Sequence, residues 1–194
     1  MRFLKRIMVV LLAVMMLLPM TAQAAGSPAK NSLKRSTATA KSVTYNGKKQ
    51  SAKLTVKMGS KTLTEGKHFV VVGSREYKNA GTYTLKIKGI GKYTGTQTIT
   101  YTIKKKAQTV SVSGVRSYKA TTLKKSKKSF RLTVTRKANA KVTYTTSDPK
   151  IKVSKSGKVT LAKGLKKGKY TIYVKTAATK NYKSATKKVT VRVR

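Results

Sequence analysis

The 194-residue sequence contains no cysteine and no tryptophan, and it has only three acidic residues and one histidine. The absence of cysteine excludes disulfide frameworks, thiolate zinc sites, cysteine nucleophiles and a lipid-modified N-terminal cysteine. The carboxylates of Glu65, Glu76 and Asp148 and the imidazole of His68 are scattered, which leaves almost nothing for acid–base catalysis or for a metal site. We therefore expect no enzymatic activity, no small-molecule substrate, no metal and no cofactor.

Long apolar runs are also scarce, and the main one lies near the N-terminus. Arg2, Lys5 and Arg6 precede an apolar run over 7–18, and Ala22-Gln23-Ala24 follows it. This order is typical of a signal peptide cleaved after residue 24, and the run is shorter than the roughly 18 residues of a spanning helix. We predict a signal peptide over 1–24, with an uncleaved anchor as the alternative, and a flexible basic leader over 25–36. The protein is then secreted, without a transmembrane anchor, and any retention at the cell surface is non-covalent.

Beyond residue 36, apolar and polar residues alternate with a period of two. The alternating segments are 54–58, 83–87, 99–103, 130–134, 142–144, 170–174 and 189–193. Alternation buries one set of side chains and exposes the other, and Thr, Val, Tyr and Ile suit such a surface. Turn sequences such as Asn46-Gly47 and Ser156-Gly157 separate the segments. The pattern predicts an all-β fold of the sandwich type without a long helix.

The chain also repeats itself. The segment 81–87 (GTYTLKI) matches 168–174 (GKYTIYV), and 92–96 (KYTGT) resembles the stretch that begins at Asn181-Tyr182. We therefore predict two tandem small β-sandwich domains, over 37–104 and 105–194, each of which folds by itself.

Several motifs resemble known families. The ordered motifs at 44–48, 63–69, 79–83 and 89–96 make the first domain similar to an adhesin-type repeat of secreted bacterial surface proteins. The motifs at 142–149, 153–159 and 168–172 make the second similar to bacterial immunoglobulin-like domains of the invasin/intimin type. The resemblance implies two immunoglobulin-like β-sandwiches that serve as spacer or adhesive modules. It differs in surface charge, because lysine occupies most of the expected exposed positions.

The tyrosines allow two interpretations. Tyr83, Tyr101, Tyr144 and Tyr170 are in phase with apolar neighbours and are expected in or near the core. Tyrosines near turns, such as Tyr45, Tyr93 and Tyr182, either cap the ends of the sandwiches or stack on bases or sugars.

Positive charge is the most informative feature of the composition. The chain carries 46 Lys and Arg residues and a formal net charge of +43. Solubility is normally achieved with mixed signs, and so large an excess would destabilise the fold by self-repulsion unless an anionic partner compensates it. The densest clusters, our candidate polyanion-binding residues, are Lys104, Lys105, Lys106, Lys124, Lys125, Lys127, Lys128, Lys166, Lys167, Lys169, Lys187 and Lys188.

Charge spread over two domains predicts diffuse binding of anionic polymers, such as teichoic acid, lipopolysaccharide, extracellular DNA, glycosaminoglycan or mucin, by a monomer. The predominance of lysine over arginine favours diffuse attraction over bidentate recognition. The alternative is a structural or adhesive immunoglobulin-like module with a specific protein partner, recognised by strand edges or loops. A cationic antimicrobial protein is a third reading, which the lack of an amphipathic helix disfavours.

Overall fold

The computed structural model describes residues 31–194, and the predicted signal peptide lies outside them. The first half begins with a 3₁₀ turn, Leu33–Arg35, and continues with nine strands. These are β1 Thr37–Ala40, β2 Val43–Thr44, β3 Gln50–Ser51, β4 Leu54–Met58, β5 Lys61–Leu63, β6 Phe69–Val72, β7 Glu76–Tyr77, β8 Gly81–Gly89 and β9 Thr96–Lys104.

The second half contains eight strands and one short helix. The strands are β10 Ser111–Ser113, β11 Lys128–Arg131, β12 Thr133–Thr135, β13 Val142–Thr146, β14 Ile151–Val153, β15 Lys158–Leu161, β16 Gly168–Thr176 and β17 Ala185–Val193. The helix α1, Ala120–Lys125, lies between β10 and β11. Residues 31–194 contain no helix that could span a membrane. The chain is an all-β protein, as predicted.

Each half is a sandwich of two sheets over its own core. In the first half, a sheet of order β1-β4-β5 faces a sheet of order β2-β9-β8-β6, and β3 pairs with β7 at the side. In the second, the order β11-β15-β14 faces β13-β16-β17, and β10 pairs with β12. The first core joins Val56 and Leu63 to Leu85, and the second joins Val159 to Ile172. The apolar residues of the alternating segments therefore form the inner faces of the two sheets in each sandwich.

The two halves repeat the same structural details. The nine-residue hairpin strands β8 and β9 correspond to β16 and β17. Both β8 and β16 begin at the glycine of the repeated motif. Two residues after that glycine, the hydroxyl of Tyr83 donates to the carbonyl of Asn79 at 2.6 Å, and that of Tyr170 donates to Lys166 at 2.8 Å. A tyrosine bonded to the backbone a few residues upstream is the tyrosine corner of immunoglobulin-like sandwiches.

The structure differs from the sequence-based expectation in the leader. Residues 32–36 do not form a flexible leader: Leu33 is fully buried in the first core, and Ser36 donates to the carbonyl of Leu33. The backbone of Leu33 also donates to Thr94 at 2.8 Å. The buried side chain of Leu33 and these hydrogen bonds together order this otherwise polar segment beside the last hairpin of the domain.

Two further differences concern the second half. The alternating segment 130–134, expected as one strand, divides at Leu132 into β11 and β12, which belong to different sheets. The N–H of Leu132 donates to Gly157 instead of to a strand partner. The helix α1 was not expected, because six residues with one buried side chain, Leu123, are too short for a helical period to be visible.

Candidate polyanion-binding surface

The outer face of the four-stranded sheet in the first half carries threonine and lysine. On β9, the outward residues are Thr96, Thr98, Thr100 and Thr102; they lie opposite Lys88, Lys86, Thr84 and Thr82 of β8. Outward neighbours along one strand are about 7 Å apart. The alternation that buries Ile99 and Tyr101 therefore presents hydroxyl and ammonium groups in rows to the solvent.

The outer face of the β13-β16-β17 sheet repeats this composition with an aromatic residue. Lys169 lies directly opposite Arg192, and Lys175 lies opposite Thr186. Tyr173 lies opposite Lys188, whose Nζ is 5.8 Å from the centre of the tyrosine ring. Two like charges paired directly across strands are destabilising by themselves. An anionic ligand that sits between Lys169 and Arg192 would relieve that repulsion.

The predicted lysines lie on different parts of the fold. Lys104 ends β9, Lys124 and Lys125 form the last turn of α1, Lys127 and Lys128 lie at the start of β11, Lys166 and Lys167 precede β16, Lys169 lies in β16, and Lys187 and Lys188 lie in β17. All twelve are exposed except Lys128, which is half-buried. The fold thus brings Lys169 and Lys188 onto one sheet face but leaves the other clusters on separate surfaces.

Lysines that are neighbours in the sequence can point to opposite faces of a sheet, because side chains alternate along a strand. Lys188 points outward with Thr190 and Arg192, whereas Lys187 has the parity of the buried residues Val189 and Val191 and lies where the core ends. Lys175 and Tyr173 were not among the candidates, although they share the parity of Lys169 on β16. Strand alternation itself would have identified them, because candidates chosen by local lysine density omit isolated residues on the same face.

The cluster Lys104–Lys106 does more than carry charge, because it adjoins the contact between the two sandwiches. The backbone of Lys106 pairs with Tyr182, and the Nζ of Lys105 donates to the carbonyl of Thr179 at 2.7 Å. Beside it, Asn181 accepts a hydrogen bond from the Ala80 N–H at 2.8 Å. The ring of Tyr182 meets that of Tyr45 edge-on at 5.6 Å between centroids. Tyr45 and Tyr182 thus cap sandwich ends, one of the two alternatives left open by the sequence.

Very little of the positive charge is compensated internally. Among the described residues there is one ion pair, between Arg75 and Glu65 at 2.8 Å, and both side chains are more than a third exposed. Asp148 accepts from the backbone N–H of Lys150 within its own turn. No group of three or more potential metal ligands occurs within 31–194.

His68, the single histidine of the sequence, is buried. Its Nδ1 accepts a hydrogen bond from the Thr64 N–H at 2.7 Å, and its ring meets Tyr93 edge-on at 5.0 Å. Burial lowers the pKa of His68, and the nearby Lys61, Lys67 and Lys92 lower it further. His68 is therefore a neutral structural residue at the start of β6.

Comparisons with known proteins give a coarse likeness. No protein-family model and no curated protein matches the chain. Similar solved structures include Drosophila N-cadherin EC1-4 at 15% identity and a TM-score of 0.39, and Sidekick-1 immunoglobulin domains 1–5 at 10% and 0.38. A SusE-like surface-located polysaccharide-binding protein from Bacteroides thetaiotaomicron is similar at 12% and 0.32.

The three alignments cover 80%, 81% and 80% of this chain, in the order given. They cover 48%, 38% and 33% of the three similar chains, so this chain spans less than half of the length of each. At such scores they support no statement about function. The class of protein rests on the chain's own topology: a tandem pair of small immunoglobulin-like β-sandwiches, each with a tyrosine corner.

Proposed function

We propose that this chain is an exported, non-enzymatic, surface-associated protein that binds anionic polymers through diffuse lysine electrostatics. The observation that carries the proposal is the exposure of eleven of the twelve candidate lysines beside a single internal ion pair in residues 31–194. The anionic polymers are those of a bacterial or host surface: teichoic acid, lipopolysaccharide, extracellular DNA, glycosaminoglycan or mucin.

The distribution of the charge supports a mechanism without sequence or sugar recognition. Candidate lysines lie on a helix, at strand ends and on an outer sheet face, and each of these surfaces offers a contact of the same kind. Such contacts release condensed counterions, and log affinity for a duplex falls with log salt by about 0.9 per neutralised phosphate. Six contacts therefore lose roughly a thousandfold in affinity between about 50 and 200 mM salt.

A salt titration with matched variants tests the proposal. The triple variants K124Q/K125Q/K127Q and K166Q/K167Q/K169Q each remove three exposed lysines from different surfaces. If the contacts are interchangeable, both should weaken binding to a DNA duplex and to a sulfated polysaccharide by similar factors, and both should reduce the salt slope by about 1 to 3. The corresponding arginine variants keep the charge and should bind like the unchanged protein.

Two results would overturn the proposal. Affinity that does not change with salt would exclude electrostatics as its source. Loss of binding in one triple variant, with no change in the other, would show a single localised site in place of a diffuse surface.

A further inference from the structure

The second sandwich has a groove along its side, between the edges of its two sheets. Its volume is about 510 Å³, and it is lined by Val142, Thr143 and Tyr144 of β13, by Val153 of β14, and by Lys141 and Lys155 at its rim. Val142, Tyr144 and Val153 are half-buried and pack against the core, so the floor is apolar. Both lysines are exposed.

The strand that forms one wall of the groove has an unpaired edge. Ala177 donates to the carbonyl of Lys141, and Ser147 donates to that of Thr171, so odd-numbered residues exchange hydrogen bonds with β16. Because antiparallel pairs alternate along a ladder, the N–H and C=O groups of Val142 and Tyr144 point away from β16. Within 31–194, β13 pairs with no other strand.

The same two residues therefore combine two properties. Their side chains form the apolar floor, and their backbone groups form a free edge that can receive another strand. On the opposite wall, β14 is also an edge strand of its sheet.

The corresponding strand of the first sandwich is covered at its start. β6 occupies the place of β13, as the edge strand next to β8. There the N–H of Gly66 donates to the carbonyl of Phe69 at 2.8 Å, so the preceding loop covers the start of that edge. The second sandwich has no such cover over Val142 and Tyr144 among the described residues.

Charge indicates the chemistry of the occupant. Lys141 and Lys155 flank the groove, and Lys150 and Lys152 lie on or next to β14. A second copy of the chain, with a net charge of +43 and three acidic residues, would be repelled. An acidic segment would gain two kinds of contact: carboxylates to the rim lysines, and alternate apolar residues to the floor.

We propose that β13 binds an extended acidic segment of another protein by strand addition, with apolar side chains at alternate positions facing Val142, Tyr144 and Val153. The five residues of β13 offer an edge of about 17 Å, which sets the length of the bound segment. This interaction depends on the order of residues in the bound segment, whereas the diffuse binding of polyanions does not. If strand addition proves wrong, the proposed polyanion binding is unaffected.

Two peptides of equal composition distinguish the effect of residue order from the effect of net charge. The first probe is an eight-residue peptide of alternating Glu and Val, and its control has four Glu followed by four Val. We expect the alternating peptide to bind at least tenfold more tightly. Equal affinities with equally steep salt dependence would overturn the proposal, because diffuse attraction would then be sufficient.

Amide hydrogen exchange, followed by NMR, gives a readout that attraction alone would not produce. The alternating peptide should protect the N–H groups of Val142 and Tyr144, which face the free edge, and leave the already paired Thr143 unchanged. Uniform protection, or none, contradicts strand addition. Protection that appears without peptide and grows with protein concentration would assign the edge to a second copy and would also refute the proposal.

Two variants complete the test. V142P removes an outward N–H, which an edge strand tolerates, and replaces one apolar side chain of the floor by another. It should weaken the alternating peptide at least tenfold while binding to DNA stays unchanged. K141Q/K155Q should weaken the peptide about three- to tenfold, whereas the distant pair K57Q/K61Q should have no effect beyond the general loss of charge. If V142P does not fold, the exchange pattern of the unchanged protein decides.

Discussion

The hydroxyl of Tyr101 offers a sharp test of the first core. The side chain is fully buried, and its Oη has no hydrogen-bond partner among the described residues. Burial, with a smaller contribution from Tyr83, raises the pKa of Tyr101, so the group is a neutral phenol. An unsatisfied buried hydroxyl costs about 1–3 kcal/mol. Since Tyr101→Phe keeps the ring and its packing, it should raise the free energy of unfolding by about 1–2 kcal/mol.

Tyr83→Phe is the matched control, because it removes the same atom from a neighbouring ring of the same core. The rings of Tyr83 and Tyr101 lie 6.5 Å apart, but the hydroxyl of Tyr83 makes the 2.6 Å corner bond to Asn79. Loss of this bond should lower the free energy of unfolding by about 0.5–1.5 kcal/mol. Removal of the hydroxyl should therefore change the free energy of unfolding in opposite directions at these two tyrosines, which lie opposite each other on β8 and β9.

Urea unfolding of the two variants and the unchanged protein measures both effects. The denaturant slope should stay constant, so the midpoints report stability directly. A destabilised Tyr101→Phe variant would show that the buried hydroxyl is satisfied. A stabilised Tyr83→Phe variant would show that the corner bond contributes no net stability. Either result would refute this reasoning.

Three further predictions concern other parts of the fold. Ala138 has a φ of 55° in the turn before β13, so Ala138→Gly should stabilise the protein by up to about 1 kcal/mol in thermal unfolding; a loss of stability would contradict the strain. Arg192→Thr removes the like charge opposite Lys169 and should stabilise by about 0.2–1 kcal/mol, an effect that high salt should abolish. Since the pKa of His68 is lowered in the folded state, the unfolded chain takes up its proton first, and stability should fall as the pH decreases below about 6.5. His68→Gln should flatten this dependence in denaturant titrations at several pH values.

Much of the fold was predictable, because it depends on local rules. The period of two located the main strands, since a strand with one buried face must place apolar residues at every second position. The segment 54–58 is β4, and the repeated glycine-to-tyrosine motif begins both β8 and β16. That 37–104 and 105–194 fold separately remains a prediction, supported by their separate cores.

The candidate site was predictable in composition but not in arrangement. Lysine density identified exposed residues, but it did not show that Lys169 faces Arg192 or that Tyr173 lies among the charges. These neighbours belong to strands whose register is set by the core-facing residues between them.

The sequence by itself determined the fold class, the internal repeat and the large positive charge, since each follows from residue type and spacing. The tertiary structure decided the features that depend on distant residues. It buried Leu33 beside Thr94, divided 130–134 between two sheets, and left the edge of β13 open while a loop covers the start of the β6 edge. The physical reason is that a backbone edge is free or paired according to which segments pack beside it, and such pairing depends on contacts between residues far apart in the chain.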